Sequence, residues 1–157
     1  MNYIVFDLEW NQSPGGKKYS NSRLPFEIIE IGAVKMNEQR EVLDVFQRLV
    51  KPQVYNWIHD SIHEVIHVDY KDLADGVPFQ QAVREFLKWC GEEYVFCTWG
   101  NQDVMELQRN MKYYGMLSLL PGPVTYYDVQ KIYGICHEEA GGRRSLEFAI
   151  DQMGIPK

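Results

Sequence analysis

Two acids two positions apart, Asp7 and Glu9, sit in and just after the apolar run "NYIVFDL". Side chains at that spacing on an extended strand project to one face, so the pair concentrates negative charge. At ~4 Å two like charges repel by about 4 kcal/mol even at an effective dielectric near 20, so a cation is needed to compensate. A third acid, Asp103, follows the β-rich run "YVFCTW" through the turn Trp99-Gly100 and falls in the first turn of the helix predicted by "DVMELQRNMKYYG". If the two strands are adjacent and parallel, the three carboxylates converge. Oxygen-only donors of this kind suit Mg²⁺ or Mn²⁺ rather than zinc. Two such ions about 3.5 to 4 Å apart stabilise both the attacking and the leaving oxygen in phosphodiester hydrolysis. Structural explanations stand beside this one: Asp-x-Glu as a solvated strand end, and Asp103 as an acid placed to meet a helix dipole.

A second pattern is the pentapeptide "HEVIH", residues 63–67. On a helix, His63 and His67 lie one turn apart with Glu64 beside them, the local geometry of a zinc peptidase. The extended form of that motif is absent: Tyr70 stands where glycine is needed and Leu73 where the third histidine belongs. Glu85 is at a possible distance for a downstream ligand, but "AVREFLKW" also accounts for it as the solvated face of an amphipathic helix. The zinc peptidase is therefore the less favoured reading.

The elements that must position these residues follow from periodicity. "NYIVFDL" suits a buried central strand, and the polar stretch "NQSPGGKKYSNSRLP" after it a loop. "FEIIEIGAVKMN" and "EVLDVFQRLVKP" read as a hairpin. Helical spacing follows, first across about residues 57 to 74, then in "PFQQAVREFLKWCG". A strand "YVFCTW", a helix, a short strand "VTYYDV", a helix "VQKIYGICHEE" and a last helix starting near Ser145 complete the chain. Three strands, then alternating helices and strands, predict a mixed α/β sheet with its chemistry at the carboxyl ends of the strands.

Composition sets limits. The 157 residues match one domain. A net charge of −6 excludes a general basic surface for a long polyanion, so nucleic acid would be gripped locally, at an end. Cys90, Cys97 and Cys136 are odd in number and lack C-x-x-C spacing, which argues against a disulfide framework and for buried thiols in a reducing cytoplasm. Neither an export signal nor an apolar run of membrane-spanning length is present in the sequence, so no membrane partner is expected.

In order and spacing, "FDLEW", "EIIEIGAVK", "TWGNQDVMELQRN", "YYDVQKIYG" and "SLEFAIDQMGIP" resemble the DEDDh 3′-to-5′ exonucleases. Within that group the likeness is to the branch of the histone-mRNA 3′ exonuclease and the bacterial KapD-like sporulation-inhibitor proteins. The resemblance implies a ribonuclease-H-like five-stranded mixed sheet, its first three strands antiparallel and later ones parallel, flanked by helices. It implies that Asp7, Glu9 and Asp103 bind two divalent cations, Mg²⁺ or Mn²⁺. It also implies that Glu9, Trp10 and Asn11 seat the 3′-terminal nucleotide of single-stranded RNA, or of DNA. Trp10 stacked on a base would contribute about 1 to 3 kcal/mol, although packing against the following loop explains it equally well. Trp99 is expected to pack behind Asp103, and Asp128 to cap a helix.

The pattern departs from the family at one point. A histidine followed five positions later by an aspartate should come after "SLEFAIDQMGIP", where the sequence stops at Lys157. The expectation is a truncated exonuclease domain, binding metal weakly and hydrolysing slowly. The rival is a non-catalytic nucleic-acid-binding or interaction module on the same fold.

Overall fold

The computed structural model describes residues 1–157 apart from 14, 16, 56–57, 59–69 and 138–141. The first strand, β1, is Asn2–Gln12. Its alternation is clean at first: Ile4, Phe6 and Leu8 are buried, while Val5 and Asp7 are exposed on the opposite face. A bulge between Glu9 and Trp10 then shifts the register against β2, Phe26–Met36. The extra residue is Ile29 of β2, which is skipped in the pairing. Beyond it Trp10 still packs on the core that holds Ile4, Phe6 and Leu8, and Asn11 and Ser13 are buried as well. The apolar run alone suggests a strand ending near residue 8. The strand continues because Trp10, Asn11 and Gln12 still pair with Ile28, Glu27 and Phe26.

The hairpin expected from sequence is β2 with β3, Val42–Leu49. After a helical turn, α1 at Tyr70–Ala74, comes the amphipathic helix α2, Phe79–Cys90. Its buried positions Phe79, Ala82, Val83, Phe86 and Cys90 repeat with the helical period and face the sheet. The Phe86 ring lies 5.8 Å from Phe6, 5.5 Å from Phe46 and 6.2 Å from Phe96. Burying each such ring stabilises the fold by about 1.5 to 3 kcal/mol.

Next come β4, Tyr94–Thr98, and α3, Gln102–Tyr113. The chain ends with β5 at Tyr126–Asp128, α4 at Val129–Cys136 and α5 at Leu146–Gln152. Strand order is β3-β2-β1-β4-β5. The first three strands are antiparallel, and β4 joins β1, and β5 joins β4, in parallel. This is the mixed five-stranded sheet that the sequence implied.

Caps expected from sequence are present. Asp128 accepts from the Lys131 N–H at 3.0 Å, and Ser145 from the Phe148 N–H at 3.1 Å. Cys90 and Cys97 are buried, but Cys136 is exposed, contrary to the expectation of three buried thiols. It closes a helix whose outer face, with Ile132 and Ile135, is open to solvent. Among the described residues no helix is long and apolar enough to cross a membrane.

Candidate active site

β1 and β4 are parallel neighbours only as far as Val5 opposite Cys97. Past that point the β1 edge has lost its strand partner, and its backbone N–H groups need other acceptors. The chain leaving β4 turns at Gly100, whose φ of +89° favours glycine. A side chain there would also press on Gln130, whose Oε1 would be 3.1 Å from an added Cβ. Thr98 fixes the same turn by donating its hydroxyl to the Gly100 carbonyl at 2.6 Å. The turn starts α3 beside β1, and Asp103 in its first turn accepts the Leu8 N–H at 3.1 Å.

Asp103 is thereby tied to the strand between Asp7 and Glu9 and is buried, 6% exposed. Glu9 is half-buried, whereas Asp7 opens to solvent along the sheet face. Opposite Asp7 on β2 is Gly32, and opposite Glu9 is Glu30. Directly paired residues share a face. The face beside Asp7 is thus left without a side chain, and a fourth carboxylate stands beside Glu9. Glu30 accepts from Gln47 Nε2 at 2.7 Å.

Crowding of charge in a partly desolvated place is visible in the acidities. Burial pushes Glu9 up to about 7, with the charges of Asp7, Glu30 and Asp103 adding to it in that order. Burial also pushes Asp103 up to about 6, the Leu8 N–H pulling back and the charge of Asp7 adding. Asp7 rises through burial and then the Glu30 charge, again opposed by the Leu8 N–H. The described residues provide no ion pair to any of these three acids.

Among the described residues no group of three His, Cys, Asp or Glu side chains is gathered closely enough to hold a metal ion. The Asp103 Oδ1 is turned to the Leu8 N–H. The donor set nevertheless fits a hard divalent cation: oxygen ligands, uncompensated charge, and an open place on the face at Gly32.

Trp99, expected behind Asp103, has its ring 5.8 Å from Tyr133 of α4, and its Nε1 donates to the Arg144 carbonyl at 3.0 Å. The β4–α3 turn aims it toward the C-terminal helices. Trp10 packs against the core with its ring 5.9 Å from Phe26, and Asn11 is wholly buried. "HEVIH" falls outside the described residues.

Sequence reasoning missed Glu30 and also Glu106, one turn after Asp103. Glu106 is fully buried; its Oε1 accepts from Gln102 and Arg109 at 3.0 and 2.9 Å, and its Oε2 has no partner among the described residues. The strand alternation of "EIIEIGAVK" placed Glu30 on the acid face, but only the hairpin register shows it opposite Glu9.

The exonuclease family model RNase_T matches residues 4–155. The chain belongs to the RNase_T exonuclease family. RNase_T exonucleases are hydrolytic nucleases, and the DEDDh class implied by the five motifs agrees with the solved structures of similar fold. The nuclease domain of 3′hExo, a DEDDh family member, bound to rAMP, superposes with a TM-score of 0.72 at 20% identity, over 87% of this chain and 70% of that one. Cell-death related nuclease 4 gives 0.69 at 18% identity, covering 92% of this chain and 50% of that one. E. coli exonuclease I with a dT13 oligonucleotide gives 0.66 at 11% identity, covering 89% of this chain and 31% of that one. This RNase_T chain therefore spans half or less of the length of the last two. Among curated proteins no sequence matches it.

Proposed function

We propose that this chain is a metal-dependent 3′-to-5′ exonuclease acting on the 3′ ends of single-stranded RNA, with DNA as the alternative strand. The observation that carries it is the placement of Asp7, Glu9 and Asp103 around one backbone amide at the carboxyl end of β1, with Glu9 and Asp103 partly desolvated and no cation paired to the three among the described residues. Asp7, Glu9 and Asp103 would hold Mg²⁺ or Mn²⁺. When bound, such ions supply the charge that activates water and stabilises a leaving 3′ oxygen.

The chain's own residues do the rest. Asp103, locked to Leu8, fixes the helix and keeps one carboxylate oxygen committed to the backbone. Gly32 keeps the sheet face open beside Asp7. Trp10, held against Phe26, offers a ring edge or face at the rim for the terminal base, while Asn11, being buried, supports that rim from below. His137, the one histidine among the described residues, stacks on the Tyr133 ring at 4.1 Å and bonds the Tyr133 carbonyl through Nδ1. Preference for RNA in the manner of the histone-mRNA branch, a single exonuclease domain, and a cytoplasmic location suited to free thiols belong to the same proposal.

The test is a 5′-labelled single-stranded RNA incubated with the chain and Mn²⁺. The expected result is stepwise shortening with release of 5′ mononucleotides, lost in Asp7→Asn and with chelator. Binding without any shortening would favour the non-catalytic module, and shortening that survives Asp7→Asn would overturn the assignment of the acids.

A further inference from the structure

Resting on the exonuclease reading, we infer that a basic hollow on α3 holds the phosphates of the strand upstream of its 3′ end. The hollow has a volume of about 470 Å³ and is lined by Arg23, Gln108, Arg109, Lys112, Tyr113 and Leu117. Three of its six lining residues are cations and none is an acid, on a chain whose net charge is −6. Arg109 is partly neutralised by Glu106 at 2.9 Å, whereas Arg23 and Lys112 have no ion pair among the described residues.

The hollow is built rather than incidental. The Arg23 guanidinium lies over the Tyr113 ring, 5.6 Å from its centre. The Tyr113 hydroxyl accepts from Asn21 Nδ2 at 3.5 Å, and the Asn21 carboxamide oxygen accepts the Arg23 N–H at 2.9 Å. The loop that leaves β1 is thus pinned to the second half of α3 with its cation facing outward. A planar guanidinium beside an aromatic ring and an ammonium is a chemistry for phosphate and stacked base together.

Position along the helix sets what it could hold. Asp103 is in the first turn of α3, while Arg109 and Lys112 are in its later turns. At 1.5 Å per residue they lie about 9 and 14 Å further along the axis, and at 3.6 residues per turn they also sit roughly a third to half a turn round it, so the strand must in addition cross a helix about 10 Å wide. The combined separation of roughly 13 to 17 Å is, at ~3.4 Å per stacked nucleotide, about four to five nucleotides. A strand with its 3′ end at the acids can therefore reach the hollow with roughly its fifth or sixth phosphate, and a dinucleotide cannot.

The experiment uses 5′-fluorescein-labelled U12 and a labelled dinucleotide, titrated by anisotropy with Ca²⁺ in place of Mn²⁺ across a salt series. The variants are Arg23→Ala with Lys112→Ala, and a control pair of exposed lysines, Lys51→Ala with Lys88→Ala. Two lost single-strand phosphate contacts lower the slope of log affinity against log salt by about 1.4, which is about 25-fold in affinity at 0.1 M salt. The expected result is that loss for U12 alone, in the first pair alone. If U12 binds the wild type and the first pair keeps its affinity and slope, or loses no more than the control, the hollow is not a strand site and the exonuclease reading stands. If the wild type binds neither RNA, both fall. Both target side chains are exposed, and the Gln pair at the same positions repeats the test with the stems retained.

Discussion

Replacing Glu9 with Gln should make the metal-free chain more stable, by an amount that grows as pH rises from about 4.5 to about 7 and is full above it. Glu9 has an ordinary value of 4.5 and is pushed up to about 7 in the fold. Below pH 4.5 it is protonated whether folded or unfolded, and its environment costs nothing. Between 4.5 and 7 the unfolded chain ionises while the folded one keeps its proton, so stability falls as pH rises. Above 7 both are ionised and the full cost of the crowded charge is present. At 1.36 kcal/mol per unit the rise corresponds to about 3.4 kcal/mol, and solvent screening of a half-buried group reduces it to about 1.5 to 2 kcal/mol. For a chain of this size that is about 3 to 8 °C in Tm. The assay is thermal unfolding of wild type and Glu9→Gln in chelator at pH 4.5 and pH 8, repeated with Mn²⁺. The variant should match the wild type at pH 4.5 and exceed it at pH 8. Mn²⁺ should raise the wild type more than the variant. A variant no more stable at pH 8 than at pH 4.5, relative to wild type, would refute the claim that these carboxylates share one uncompensated site.

Other expectations follow from single contacts. Asn110→Ala leaves the Ile28 N–H and the Phe26 carbonyl buried without the partners they have at 3.1 and 3.0 Å, and should cost about 2 to 4 kcal/mol in denaturant titration. Phe86→Ala, at the centre of the aromatic cluster, should cost about 3 to 5 kcal/mol by the same measurement. Burial pushes the Cys90 thiol up to about 12 and raises Cys97, so a thiol reagent at pH 8 should label Cys136 rapidly and the other two only on unfolding, as peptide mapping would show.

The strands, the hairpin and the amphipathic helix were legible because their apolar residues repeat with period 2 or 3.6, and Asp7 and Glu9 were legible because two charges in a central strand require an explanation. The adjacency of Asp103 was conditional on a parallel β1–β4 pair, which no local pattern specifies. Glu30 and the bulge after Glu9 were hidden for the same reason: register is a property of two strands together. The Tyr133 and Arg144 partners of Trp99 were hidden because they lie far along the chain, where no local periodicity points. Glu106 and Asn110 look like ordinary polar positions of an amphipathic helix until its packing shows them facing inward.

The bond from Leu8 to Asp103 bears on how an inactive form of this chain should be made. The amide lies where β1 has already parted from β4, so the acid is also the fastening between strand and helix. Alanine at 103 would remove the charge and leave a buried donor unmet at about 1 to 3 kcal/mol, so its loss of activity would mix chemistry with a loosened frame. Asparagine keeps an oxygen for the amide and discards only the charge. A substrate-trapping variant built as Asp103→Asn would therefore hold a strand in the geometry of the intact protein, and the difference between the two substitutions measures how much of the site is scaffold.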